Sequence, residues 1–484
     1  MTSTKTSRAA EIRSKLDYPI VDGDGHVLEV TPVFIDYIRE TMGDKVAKAY
    51  TSSPAFRRYY EPWAFSDEAR VDSWIPRNNL WGVPTKNTLD RATAILPRLY
   101  GERMDVLGID YSILYPSEGL FCATIADEEL RNQACRAYNG FAAELSGPYA
   151  DRMTNVATIP MTTPDEAIEH LEYAVTKKGL KVVCMTGYVH RPLKEAERKF
   201  PEYAGMATRL DYFALDSEYD YDPVWAKCVE LGVAATFHSP SGLRAGRSIS
   251  NYTYNHIGSI AQAQEGLAKA LFFGGVTRRF PTLNVGFLEC GASWATNLFT
   301  ELVGHWNKRN LKAMEYVDPA NLDRKRLMQY VADYGDERTV KNIEDVRSYF
   351  SRDLAPLPEK DDFHRCGIER EEDIHDLFIP RFYIGCEADD RSVAWAFNTS
   401  MNPFGAKIRV VFGSDIGHWD VIDVGEVVEE AHELVEEKLI SEGDFKEFMF
   451  SNPVELHAGM NPDFFKGTRV EDAVAGFMKE GRGN

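Results

Sequence analysis

The sequence predicts an α/β chain folded as a (β/α)8 barrel, on two observations. Eight short apolar runs, rich in β-branched or aromatic residues, recur along 484 residues, and helical periodicity fills the intervals between them. Runs that stay apolar from end to end are strands buried on both faces, and with alternating helices they imply a parallel sheet. A doubly wound open sheet is the rival. It is disfavoured because no Gly-x-Gly-x-x-Gly follows any run.

The runs, in order, are 19–21, 111–115, 154–159, 180–185, 233–237, 283–288, 381–385 and 408–412. Three intervals show why the rest reads as helix. Residues 165–176 open on Pro164-Asp165, residues 222–231 end at Gly232, and residues 424–439 keep an apolar stripe. Eight such units form a closed barrel whose active site is built where strands end and loops begin. Two intervals exceed a simple crossover. Residues 30–100 carry Phe34, Tyr37, Tyr59, Tyr60, Trp63, Phe65, Trp74 and Trp81, and residues 300–380 are highly charged and helical in part. Long insertions serve as lids, binding loops or oligomer contacts. The first leaves strand one beside the expected site, so its aromatics either shape the pocket or form a private core; the two uses weigh equally. The expected organisation is one elaborated barrel over 1–484 with these two insertions.

Net charge is −20, from 75 acidic and 55 basic residues. No basic surface dominates, which argues against nucleic acid as a partner. The polar N-terminus and the lack of a long apolar run predict a cytoplasmic protein that neither is exported nor enters a membrane. The seven cysteines are scattered, never Cys-x-x-Cys, and Cys184 and Cys290 fall inside apolar runs. They predict buried thiols in a reducing compartment.

The most informative residues follow the first run as Asp24-Gly25-His26. Positions i and i+2 of a strand point the same way, so Asp24 and His26 can share one ion. Strand five ends in His238 and strand eight runs into Asp415. Two imidazoles and two carboxylates suit Zn²⁺, Mn²⁺ or Fe²⁺ better than a thiolate-seeking ion. Taken singly, His238 reads as a core histidine and Asp415 as a helix N-cap. Four coincident strand-end side chains favour a metal site. Near them are His418, three residues after Asp415, which is either an acid–base partner or a loop histidine packed on Trp419, and Glu387 at the end of strand seven. Glu387 is expected to contact substrate or to orient a ligand histidine. Arg103 is expected to clamp a substrate carboxylate; Arg244 and Arg247 read as solvated loop, and His256 as core packing. Gly-x-Ser-x-Gly, P-loop and His-Glu-x-x-His motifs are absent, so no nucleotide or flavin is expected.

These residues resemble the amidohydrolase superfamily, in the branch that contains the aminocarboxymuconate-semialdehyde and γ-resorcylate decarboxylases. The resemblance covers nearly the whole chain. It rests on the Asp24-x-His26 unit, "RMDVLGIDYSILYP", "NVATIPMTTPDEAIEHL", "KGLKVV", "GVAATFHSP", "FPTLNVGFLECGASW", "VVFGSDIGHWD" and "FSNPVELHAGM", in the family's order. It implies a mononuclear site with Asp24, His26, His238 and Asp415 as ligands. Dinuclear relatives use a carboxylated lysine at the end of strand four, where this chain has Cys184-Met185 and keeps Lys181 at the strand's start. At strand six the relatives carry a histidine; here Glu289 occupies the position, as general base on bound water, as a further ligand, or as an ion-pair partner.

The resulting expectation is a metal-dependent hydrolase holding one divalent ion, Zn²⁺ first. Water would be activated with Glu289 or Asp415 as proton acceptor and His418 assisting the leaving group, on a small cyclic or aromatic substrate. The alternative is non-oxidative decarboxylation of an aromatic or enoic acid, which Glu289 in place of histidine disfavours. A silent ligand-binding barrel is the third reading. Related barrels often pair, so a homodimer or higher homo-oligomer is expected.

Overall fold

The computed structural model describes residues 7–60, 65–77, 86–203, 205–238, 247–352 and 360–480. The eight predicted strands are present as β1 (Val21–Val27), β2 (Tyr111–Pro116), β3 (Met153–Asn155 continuing as Ala157–Ile159), β4 (Val183–Met185), β5 (Ala235–Phe237), β6 (Val285–Phe287), β7 (Phe382–Glu387) and β8 (Arg409–Gly413). Each of these ladders is parallel: β1 pairs with β2 and β2 with β3, and β3 through β8 pair in chain order. β3 joins the two sheets, because Val156 N–H between its halves donates to Leu114 O of β2. The remaining seam is β8 against β1. There Ser414 N–H donates to Asp22 at 2.9 Å and Asp415 N–H to Asp24 O at 3.0 Å. The ring is therefore closed, and the α/β barrel expected from the sequence is the observed fold.

Why the seam closes is local. A Cβ on Gly413 would lie 2.8 Å from Asp24 Cβ, and one on Gly23 would lie 2.4 Å from Val411 Cγ1. Only glycine lets the two backbones meet. Gly413→Ala is expected to cost about 1–3 kcal/mol and, because the clash falls on Asp24, to weaken the site as well as the fold. Thermal unfolding read beside metal content checks both effects.

Two elements differ from expectation in a way that matters for the site. The first strand does not stop at Val21 but runs to Val27, fully buried, with a register shift between Asp22 and Gly25. Its sequence, Val-Asp-Gly-Asp-Gly-His-Val, has no strand propensity, so tertiary pairing decides it. Asp24 and His26 are thus inside the strand, not beyond it. The other difference is the long first insertion, which folds as helices Thr31–Met42, Asp44–Ser52, Pro54–Tyr60, Asp67–Asp72 and Thr88–Ile95. Phe34, Ile38 and Tyr50 pack with Tyr138 and Phe141 of helix Glu128–Ser146. Farther on, Trp74 is exposed and its indole N–H donates to Arg247 O. The first of these aromatic groups joins the insertion to a helix of the barrel, and Trp74 joins it to the segment that begins at Arg247. Trp63, Trp81 and Arg244 lie outside the described residues, as do the side chains of Tyr59 and Tyr60.

Most of the barrel's apolar core is one contiguous cluster, with Ala234, Tyr383, Val411 and Leu456 in a small cluster of their own, and all seven cysteines are buried. Among the described residues no helix is long and apolar enough to cross a membrane. An antiparallel hairpin, Val189–Pro192 with Thr208–Asp211, follows β4.

Candidate metal centre

Asp24 is the hub. Its Oδ2 accepts the N–H of Glu289 at 3.0 Å, and its backbone oxygen accepts the N–H of Asp415. Its Oδ1 is buried and has no hydrogen-bond partner. Both residues that Asp24 pins have left-handed backbones, Glu289 at φ 49° and Asp415 at φ 47°. That conformation strains a non-glycine residue and persists where surrounding contacts over-determine it, as here at the two strand ends.

Around that oxygen the imidazoles converge. His26 Nε2 lies 3.9 Å from Asp24 Oδ1, 3.1 Å from His238 Nε2 and 3.2 Å from Asp415 Oδ1. Asp24, His26 and His238 form one group able to hold an ion; His26, Glu289, Asp415 and His418 form a second that shares His26. All four ligands expected from the sequence are therefore gathered at one point, in two overlapping sets. His238 Nε2 also contacts Glu289 Oε2 at 2.8 Å, so Glu289 reaches the same point as the nitrogens. His418 Nδ1 is 2.7 Å from Asp415 Oδ2, 3.9 Å from Glu289, and its ring centroid is 4.0 Å from that of His26.

The electrostatics are those of a buried, anion-rich cluster. Burial pushes Asp24 and Asp415 well above the usual carboxylate range, and the charges of Glu289 and of the other acids add to the shift. Burial drives His26 well below its ordinary value, helped by His418 and His238. Burial also acts to raise Glu289 and lower His238, but their mutual contact outweighs it. Glu289 is held down to about 2 and His238 is raised. Buried, unpartnered oxygens on Asp24 and Asp415, beside two facing imidazole nitrogens, fit a divalent cation. Such a charge relieves each of these costs at once.

Two supports escaped the sequence reading. Asp22, two residues before Asp24, accepts from Ser112 Oγ, Ser414 Oγ and Ser414 N–H, tying β1 to both neighbouring strands. The alternating acids of Asp-Gly-Asp-Gly-His were the available signal. Glu29 accepts the backbone N–H groups of Ser117, Glu118 and Gly119 and fixes the loop after β2. Ser117 Oγ in turn stands 3.5 Å from His26 Nδ1, leaving Nε2 to face the other ligands.

Glu387 lies at the end of β7 as expected, its carboxylate grouped with those of Asp415 and Asp420 within 4.8 Å. Arg103 is a correction. Its guanidinium is bonded to Asp90 at 2.7 Å and to Thr93, so it ties the first insertion to the barrel and is not aimed at the ligands. The reason is that Asp90 is buried and needs a cation. His256 is not core: it stacks on Tyr252 beside Trp419 at the rim, 3.9 Å from Asp420. Arg247 donates to Ser259.

A family model described as Amidohydrolase matches residues 89–339. The chain belongs to that amidohydrolase family. Solved structures similar to this amidohydrolase-family protein include an amidohydrolase from Mycobacterium avium subsp. paratuberculosis K-10, 16% identical, covering 91% of this chain and 99% of its own, with a TM-score of 0.49. Another is 5-carboxyvanillate decarboxylase from Novosphingobium aromaticivorans DSM 12444 with bound manganese, 13% identical over 91% of this chain and 97% of its own, TM-score 0.48. A third is dihydroxybenzoic acid decarboxylase from Polaromonas sp. JS666, also with manganese, 18% identical over 81% and 93%, TM-score 0.47. No curated protein matches the chain.

Proposed function

We propose that this amidohydrolase-family protein is a metal-dependent lyase that removes a carboxyl group, as carbon dioxide and without oxidation, from a small aromatic or enoic acid. The observation that carries this reading is how the carboxyls are placed. Glu289, expected from sequence as a base for water, is committed to His238 at 2.8 Å and stands where a ligand stands. Glu387 is instead one of three carboxylates within 4.8 Å of one another, and like charges that close cannot all ionise. Burial first, then Asp415, Glu289 and Asp420, push Glu387 up to about 9, so it keeps its proton at neutral pH.

That arrangement suits carbon–carbon cleavage. Loss of carbon dioxide leaves an electron pair on carbon that takes up a proton, and a neutral acid beside the ligands is placed to give it. A divalent cation held by Asp24, His26, His238 and Asp415, with Glu289 beside it, would supply positive charge for the substrate carboxylate and an adjacent oxygen. Zn²⁺ is the proposed ion, with Mn²⁺ or Fe²⁺ as the alternatives. Hydrolysis is the second reading, favoured by the 2.7 Å contact of His418 Nδ1 with Asp415, a pair able to take a proton from water.

The test is a panel of hydroxylated aromatic and enoic acids, labelled with ¹³C at the carboxyl, incubated with metal-loaded protein in D₂O. The reading expects labelled carbon dioxide and one deuterium on the vacated carbon. Product carrying solvent oxygen, with no carbon dioxide, would establish hydrolysis instead. Glu387→Gln is expected to lower kcat by about 10²-fold or more while metal content stays that of the parent.

A further inference from the structure

We propose that Trp419, Tyr252 and His256 form the wall on which the substrate's ring is seated beside the metal centre, and that His256 with Asp420 reads one hydroxyl on that ring. This rests on the reading that the reacting carboxyl lies at the centre, and it selects an aromatic acid over an enoic one. Among the described residues, side-chain exposure rises in one direction away from the ligands. It is 3% at His238 and Asp415, 19% at His418, 22% at Asp420 and 29% at His256. A substrate reaches the centre from that side.

Three rings stand there. Those of Tyr252 and His256 are stacked, 5.5 Å apart and 29° from parallel, and Trp419 meets both edge-on at 5.3 and 5.2 Å. The two halves of this wall come from different loops. Trp419 follows His418 in the turn after β8, directly beside the ligands. Tyr252 and His256 lie on the short helix Tyr252–His256 after β5, near enough for the charge of His256 to act on Glu289. The first insertion holds the β5 half in place. Trp74 donates to Arg247 O, and Arg77 N–H donates to Ser248 O at 3.2 Å. Buried Asn255, next to His256, donates to Arg77 O at 3.1 Å and to Ser248 O at 2.7 Å, and accepts Ser248 N–H at 2.6 Å. A wall fixed on both sides presents aromatic faces and edges, which favour a flat ring over a saturated one of similar size. The polar part is as specific. His256 Nε2 and Asp420 Oδ2 are 3.9 Å apart, beyond hydrogen-bond reach of each other, and Asp420 Oδ1 is buried without a partner. An imidazole N–H beside a carboxylate suits a hydroxyl, which accepts from the first and donates to the second.

Isothermal titration calorimetry on the metal-loaded full chain tests this with four probes: benzoate, 3-hydroxybenzoate, 4-hydroxybenzoate and cyclohexanecarboxylate. The parent is expected to bind benzoate about three-fold or more tighter than cyclohexanecarboxylate. One of the hydroxybenzoates should bind about ten-fold tighter than benzoate. Trp419→Leu removes the first preference and Trp419→Phe keeps it. His256→Phe keeps the ring and loses only the hydroxyl preference, which His256→Gln, still an N–H donor, retains in part. Metal content and circular dichroism matching the parent show that each variant is folded. A parent that binds none of the four or ranks cyclohexanecarboxylate with benzoate would overturn the proposal, as would Trp419→Leu or His256→Phe keeping both preferences. Binding is read without turnover. Preferences that hold while ¹³C-labelled acids release no carbon dioxide would keep the wall and remove the lyase reading; carbon dioxide released without them would remove the wall alone.

Discussion

Replacing Asp24 by alanine is expected to empty the centre of metal and lower activity by about 10²–10³-fold or more, with the barrel still folded. Asp24 does three things at once here. It presents an unpartnered oxygen to the two imidazoles, it accepts Glu289 N–H, and its backbone oxygen accepts Asp415 N–H. Alanine keeps the last contact and loses the first two. Glu289, at φ 49°, then has lost one of the contacts that hold its strained backbone. Asn restores a hydrogen-bond acceptor for Glu289 but not the carboxylate charge. Metal affinity should therefore stay low in Asp24→Asn while its thermal stability recovers relative to Asp24→Ala. Metal analysis and calorimetry on the two variants separate the roles. Full metal occupancy in Asp24→Ala would remove Asp24 from the ligand set.

The second large effect is in pH. Glu387 goes from an ordinary value of 4.5 to about 9 in the fold, chiefly by burial, and Asp24 and Asp415 are raised likewise. A raised acid means that the folded state holds a proton the unfolded chain has already lost. Stability therefore falls as pH rises from the unfolded value towards the folded one, by about 1.4 kcal/mol per pH unit for each extra proton. His238, also raised, acts in the same direction above its unfolded value of 6.5. His26 is lowered, and its contribution is complete once pH exceeds 6.5. Glu289, lowered to about 2, gives stability that disappears only in strong acid. Between pH 7 and 9, then, protein stripped of metal should lose thermal stability steadily. Added Zn²⁺ or Mn²⁺ should displace the protons held by Asp24 and Asp415, so the gain in Tm on metal addition grows with pH. A Tm of stripped protein that is flat or rising over this window would contradict the electrostatics of the site.

How much of this was legible from residues is clearest strand by strand. The apolar runs located all eight strands because each is buried on both faces, and that demands a continuous apolar sequence. β1 is the exception: its glycines and acids have no strand signal, and its length is set by pairing with β2 and β8. That is why Asp24 and His26 were placed beyond the strand, and why Asp22 passed unnoticed. His238, Glu289, Asp415 and His418 were readable as strand-end groups. The commitment of Glu289 to His238 was not, because contact across 51 positions of chain depends on the barrel's closure. Arg103 was misread for the same reason, since its partner Asp90 comes from the insertion. The second insertion was legible as charged and helical; that its stretch from Glu315 to Ser351 buries no side chain was not.

Metal analysis of protein purified without chelator, beside His238→Ala prepared identically, tests the centre most directly. The geometry predicts close to one equivalent of a divalent ion in the parent and almost none in the variant, both with the same circular dichroism. Equal metal in both, or none in the parent even after incubation with Zn²⁺ or Mn²⁺, would contradict it.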